Sequence, residues 1–194
     1  LTFDNIYHEH YNYWSLTSLA IFLVNLILKY LGEKVNTHGG SLRIYISKNK
    51  KKKIESNVKK LLVEEENFGI KKYKTYQEFG EKVYKIRDNV IKNIKYLKNK
   101  GNKIVGYGSP AKATTALNFF GISSEIDFIV EDNKLKHGKF VPGVKIPIKS
   151  KASVTSKDQT ILVLAWNFFD EIKKSNKDLS NKFISIKELE NKID

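Results

Sequence analysis

The sequence predicts an α/β fold: a Rossmann-like parallel sheet domain, preceded by a helix–strand–turn–strand layer and a helical bridge. Three observations predict it. Continuous apolar segments, "KIVGYG", "IDFIVED" and "TILVLAW", recur in the second half with helix-patterned segments between them. Strands that are apolar on both faces and separated by helices make a parallel sheet covered on both sides. The first of these strands runs straight into a glycine turn and a helix, "VGYGSPAKATT".

Taken in order, Ser15 predicts the cap of a helix running to about Leu31, apolar all round and therefore largely buried. Gly32 is expected to stop it. "KVNT" and "SLRIYIS" read as two strands about "HGG". In the second, Leu42, Ile44 and Ile46 share one face and Arg43, Tyr45 and Ser47 the other. The lysine run from Lys48 to Lys53 reads as a solvated loop. "IESNVKKLLVEEENFG" predicts a helix ended by Gly69. Thr75 opens a longer one, with Phe79, Val83, Ile86, Val90, Ile94 and Leu97 at helical spacing up to Gly101. From Lys103 onward strands and helices alternate. "VKIPI" is an edge strand, because Pro147 has no N–H to give a central ladder.

Composition narrows the class. Hydrophobic content of 41% supports a true core. No cysteine is present, which excludes disulfides and cysteine-bound zinc within this chain and suits a reducing cytoplasm. The longest apolar run, Leu19 to Leu28, is interrupted by Asn25 and is about half a membrane span, and no basic region precedes it as in a signal peptide. No membrane partner is expected. The net charge of +14 suggests nucleic acid, but nearly all cations are lysine, with only Arg43 and Arg87 offering the bidentate fork that phosphate and base readers favour. No nucleic-acid partner is expected. The chain opens "LTFDN" and holds no methionine, which reads as a piece of a longer protein.

Three stretches could carry chemistry. In "VGYGSPAKATT", Gly106, Tyr107, Gly108, Ser109 and Lys112 surround a strand-to-helix turn whose backbone N–H groups and helix dipole could hold a phosphate. Pro110 suits a first helical turn. The same pattern also serves as a tight turn that binds nothing. Glu131 or Asp132, at the end of the next strand, stands where an acid meets a ribose in such folds, and also where helices are capped. In "THGGSLR", His38 beside two glycines either lines a cleft or sits on a hairpin turn. In "YHEH", Tyr7, His8, Glu9 and His10 place a carboxylate beside imidazoles, the core of a general base near neutral pH. A metal is not expected there, since His-x-His lacks the i, i+4 spacing of a helical zinc site and no third ligand is near.

The ordered set "YHEHYNYWSLTSL", "THGGSLRIY", "VGYGSPAKATTALNFFGI", "EDNKLKHGKFVPGVKIPI" and "LAWNFFDEI" resembles the NDP-sugar C-methyltransferases over nearly the whole chain. The resemblance implies S-adenosylmethionine-dependent methylation of a carbon of a keto-deoxysugar nucleotide. It implies that residues 1–47 end a methyltransferase domain, that 48–100 form the bridge, and that 101–194 form a Rossmann-like domain helping to hold the nucleotide sugar. The cofactor, and any zinc, would belong to upstream regions that this chain lacks. His10 would be the base, Glu9 its orienting carboxylate or an alternative base, and Tyr7 a hydrogen-bond partner of the sugar or enolate oxygen. His38 would be a weaker candidate in the same cleft. Gly106, Tyr107, Gly108, Ser109 and Lys112 are assigned to the pyrophosphate or nucleotide on general phosphate-binding grounds. Ser109 and Ala113 depart from the family's usual "GYGAPAKG", and "AWN" from its "PWN". A non-catalytic nucleotide-sugar-binding module is the alternative.

Overall fold

The computed structural model describes residues 3–7, 9–25, 29–35, 40–47, 56–179 and 182–191. The chain divides into two compact units, residues 10–81 and residues 1–9 with 82–194.

The unit of residues 10–81 begins with helix α1 (Leu16–Asn25), followed by strands β1 (Lys29–Val35) and β2 (Ser41–Ser47) and helix α2 (Ser56–Phe68). Its core gathers Leu16, Ala20 and Leu23 of α1 with Val58 of α2, and Leu42 and Ile44 of β2 pack against them. Two side-chain devices, one a hydroxyl and one a carboxylate, start α1. The Ser15 hydroxyl accepts the Ser18 N–H at 3.0 Å, as an N-cap should. Glu65 reaches across from α2, accepting the N–H groups of Leu16 and Thr17, each at 2.7 Å, and the Thr17 hydroxyl at 2.6 Å. A carboxylate at the positive end of a helix satisfies donors that have no intrahelical partner.

One expectation fails here. The helix from Ser15 stops well before Leu31, and Gly32 is no C-cap: Leu31 and Gly32 lie in β1, opposite Tyr45 and Ile44 of the antiparallel β2. An apolar run has no periodicity that distinguishes helix from buried strand. The inter-strand ladder, invisible to a local reading, decides it. Ile46, which alternation puts on the same face as Leu42 and Ile44, is exposed.

Helix α3 (Tyr73–Asn99) crosses the boundary between the units, which falls between Glu81 and Lys82. It begins two residues before Thr75. After Gly101, whose φ of 82° closes the helix in the left-handed region, come β3 (Lys103–Tyr107), α4 (Ala111–Phe120), β4 (Ile129–Val130), β5 (Ile148–Lys149), β6 (Gln159–Val163), α5 (Phe169–Ser175) and β7 (Lys182–Ser185). The five strands run parallel in the order β5-β4-β3-β6-β7. This is a Rossmann-like α/β domain. Strand β5, which follows Pro147, lies at one edge, as its sequence requires.

Two layers of side chains cover the sheet. One joins Ile104, Ile129, Leu162 and Ile184 to Val90, Ile94 and Leu97 of α3 and Ala116, Leu117 and Phe120 of α4. The other joins Val105, Tyr107, Val130, Ile161 and Val163, with Phe169 and Ile172 of α5 packed on it. Alternate residues of β3 thus face opposite layers, which is why its sequence is apolar throughout. Asn93, buried on α3, donates to the carbonyls of Leu189 and Asn191 and ties that helix to the segment after β7.

Candidate functional site

The carboxyl ends of β3 and β4 form the first candidate site. Gly106 and Gly108 have structural reasons to be glycine. A Cβ on Gly106 would lie 2.8 Å from Ile129 Cγ1 and 3.0 Å from Leu164 Cδ1. Gly108 has φ +84°, and a Cβ there would lie 2.9 Å from that of Ala165. Their N–H groups go to the carbonyls of Phe128 and Val130. Tyr107 points into the sheet's second layer, 2% exposed, donating its hydroxyl to Asp132 at 2.9 Å. Burial, reinforced by that carboxylate, pushes its phenol up to about 12.

Ser109 lies at the mouth of the turn. Its N–H and its hydroxyl both donate to one oxygen of Glu131, at 3.0 and 2.6 Å. The other oxygen accepts the Asn133 N–H at 3.1 Å. Lys136 bridges the cluster, with Nζ 3.2 Å from the same Glu131 oxygen that Ser109 holds and 3.0 Å from the Ser109 carbonyl. Partial burial alone would raise the Glu131 carboxyl. The Ser109 and Asn133 hydrogen bonds and the Lys136 charge outweigh it and hold the carboxyl near 2. An internal carboxylate therefore sits on the donors that would greet a phosphate. His137 Nε2 lies 2.7 Å from the Glu131 carbonyl oxygen. Beside this cluster a cleft of about 190 Å³ is lined by Ser109, Thr114, Lys136, Lys139 and Phe140, among others.

Lys112 turns elsewhere. Its Nζ lies 3.8 Å from Oδ2 of Asp4, a residue 1% exposed. Asp4 belongs to a 3-10 turn, Phe3–Asn5, laid against α4. The turn carries Tyr7, partly buried, and Glu9, exposed. His10, also exposed, is the first residue of the other unit, its ring 6.3 Å from that of Tyr13. Tyr11, Tyr13 and Trp14 after it are exposed aromatics. His38 lies outside the described residues. A second cleft, about 630 Å³, opens in the unit of residues 10–81 among Leu16, Leu42, Leu61, Glu64, Glu65 and Phe68. Gly40 and Ser41, from the "THGGSLR" stretch that holds His38, also line it.

The structure thus brings Ser109 together with Glu131, one of the two acids flagged after the second strand, and separates Lys112 from them. Asp4, Lys136 and Lys187 were not anticipated. Lys136 follows the flagged acid by five residues, a signal within reach. Asp4 gave none, because its partners are about a hundred residues away or more. Among the described residues no group of three or more histidines, aspartates or glutamates could hold a metal ion, and no helix is long and apolar enough to cross a membrane.

A parallel α/β unit with a glycine turn between its first strand and helix defines the Rossmann-like class. Within it, residues 36–185 match the model of the C-methyltransferase C-terminal domain. The chain belongs to that family. The C-methyltransferase NovU of Streptomyces niveus is 31% identical over 174 residues, which are 88% of this chain and 41% of that protein. The chain spans less than half the length of this relative.

Proposed function

We propose that this chain is the C-terminal part of an S-adenosylmethionine-dependent C-methyltransferase acting on a keto-deoxysugar nucleotide. Membership of the C-methyltransferase C-terminal domain family over residues 36–185 carries the reading. A carbon beside a ketone must lose a proton before it can accept a methyl group, so the reaction needs a base and a partner for the enolate oxygen. The reading assigns the proton to His10, with Glu9 as its orienting carboxylate or the alternative base. Tyr7 donates to the sugar or enolate oxygen. The nucleotide end of the substrate falls to the turn at Gly106–Ser109, where Ser109 is the group nearest a cleft and Tyr107 and the two glycines shape the turn from within. His38 stands as a second sugar contact. Residues 1–47 would close a methyltransferase domain, with 48–100 as the bridge.

The turn at Gly106–Ser109 is assigned to the nucleotide, whose phosphate would displace Glu131 from the Ser109 donors, so it is not offered to the methyl donor. The donor would be held mainly by the rest of the longer protein, with this chain supplying substrate binding and proton removal. A deciding experiment uses the full-length enzyme with a panel of keto-deoxysugar nucleotides and labelled methyl donor. Methyl incorporation into carbon is expected, falling about 100-fold or more in His10→Asn, within the usual range for a lost general base. Near-wild-type turnover in that variant removes His10 as the base. No transfer to any sugar nucleotide by the wild type refutes the whole reading.

A further inference from the structure

The carboxylate of Asp4 is an anomaly of this fold. It is buried, and neither oxygen has a hydrogen-bond partner among the described residues. Two ammonium groups from different elements face it: Lys112 of α4, 3.8 Å from Oδ2, and Lys187 after β7, 3.8 Å from Oδ1. Lys187 also lies 4.9 Å above the Trp166 ring and 5.8 Å from that of Phe3, and pairs with Glu190 at 2.7 Å. On either side of Asp4 the segment is fastened by other means. The Phe3 ring packs on Phe119 and Phe120, with centroids at 5.2 and 5.8 Å. The Ile6 carbonyl accepts the Thr115 hydroxyl at 3.4 Å.

As a source of stability this arrangement is poor. A buried carboxylate costs free energy that loose ion pairs repay badly, and an apolar residue of similar volume would often do as well. What a buried charge does supply is register, because it tolerates only the one position in which its counter-charges face it. Apolar packing by Phe3 alone would leave the segment able to slide. Asp4 stops that, three residues before Tyr7 and five before Glu9.

We propose that Asp4 is a positioning residue. Held between Lys112 and Lys187, it fixes the register of the N-terminal segment on α4 and so sets Tyr7 and Glu9 for proton removal. Lys112 then acts through Asp4 and not as a phosphate ligand. The kinetic arm of this inference rests on the function proposed above; the structural arm does not.

The test compares the full-length wild type with Asp4→Asn, Lys112→Met and the double variant by amide exchange and steady-state kinetics. The wild type should protect the Ile6 and Tyr7 amides, which donate to the carbonyls of Phe3 and Asn5. In Asp4→Asn, exchange there should rise at least tenfold while the amides of β3 and β6 stay unchanged. Turnover should fall at least tenfold with the substrate KM within twofold, since small misplacements of catalytic groups cost rate more than binding. Lys112→Met should do the same, and the double variant should be no worse than either single one. If Asp4→Asn does not fold, Lys112→Met carries the test, because Lys187 still faces the carboxylate. Unchanged exchange at Ile6 and Tyr7 overturns the tether. Raised exchange with unchanged turnover reduces Asp4 to a structural anchor. A raised KM in Lys112→Met alone makes that lysine a substrate ligand. Failure of the wild type to methylate sugar nucleotides would instead defeat the function reading, and the exchange result would still judge the tether.

Discussion

Replacing Glu131 by glutamine tests the cluster at the mouth of the glycine turn. The wild-type carboxyl is held near 2 instead of its ordinary 4.5, by the Ser109 and Asn133 hydrogen bonds and the Lys136 charge. At about 1.36 kcal/mol per tenfold change in proton affinity, that drop corresponds to roughly 3 kcal/mol. The side chain keeps some contact with water, so about 2 kcal/mol is the part expected in an unfolding measurement. The sign follows from the direction. Because the folded value lies below the unfolded one, the contribution is complete above pH 4.5 and is lost as the pH falls toward 2. Glu131→Gln should therefore melt several degrees below the wild type at pH 7, at roughly 2–4 °C per kcal/mol for a chain this size. The gap should close between pH 5 and pH 2. Calorimetry or circular dichroism at pH 7, 5, 4 and 3 reads it directly. Equal melting temperatures at pH 7, or a gap that stays constant down to pH 3, would refute the cluster as described.

Gly106→Ala should destabilise the domain by about 1–3 kcal/mol in urea unfolding, the usual cost of overpacking, because its Cβ would press on Ile129 and Leu164. A variant within 0.5 kcal/mol of wild type would mean that the β3–β4 contact gives way easily. Glu65→Ala removes the carboxylate that accepts from Leu16 and Thr17, and should cost about 1–2 kcal/mol, as lost N-caps do. The matching signature is faster exchange at those two amides, with β3 unaffected. Tyr107→Phe removes a buried hydroxyl that donates to the exposed Asp132 carboxylate and accepts from the buried Asn176 amide, and should cost about 1–3 kcal/mol at pH 7. Since the folded phenol titrates at about 12 against an ordinary 10, the wild type should also lose stability as the pH rises from 10 toward 12, and the variant should lose less over that interval.

Much of this fold was legible without coordinates, and for identifiable reasons. Strands β3 and β6 are apolar on both faces because each is covered by helices on both sides, and that leaves a local signature. Pro147 announces an edge because it lacks a donor, and Gly69 and Gly101 announce helix ends because they take positive φ. Ser15 announces the start of α1 through its own hydroxyl. Each of these features is settled by a residue and its near neighbours along the chain. The end of α1 is different. Whether Lys29–Val35 is helix or strand depends on β2 pairing with it, because the mixed sequence "KYLGEKV" has no pattern that settles it alone.

The candidate site divides along the same line. The sequence by itself placed a glycine turn at Gly106–Gly108, an acid after the second strand, and a carboxylate beside histidines near the N-terminus. Spacing along the chain carries that much. Only the tertiary structure decided that Glu131 occupies the Ser109 donors, that Tyr107 is buried, and that Lys112 turns to Asp4, 108 positions earlier in the chain. Those outcomes depend on which charges and donors meet across distant segments. Coulomb attraction and hydrogen bonding act over a few ångströms of space, whatever the number of residues between. A carboxylate such as Asp4 therefore leaves no trace in its own neighbourhood of the sequence, and its partners become visible only when the chain is folded.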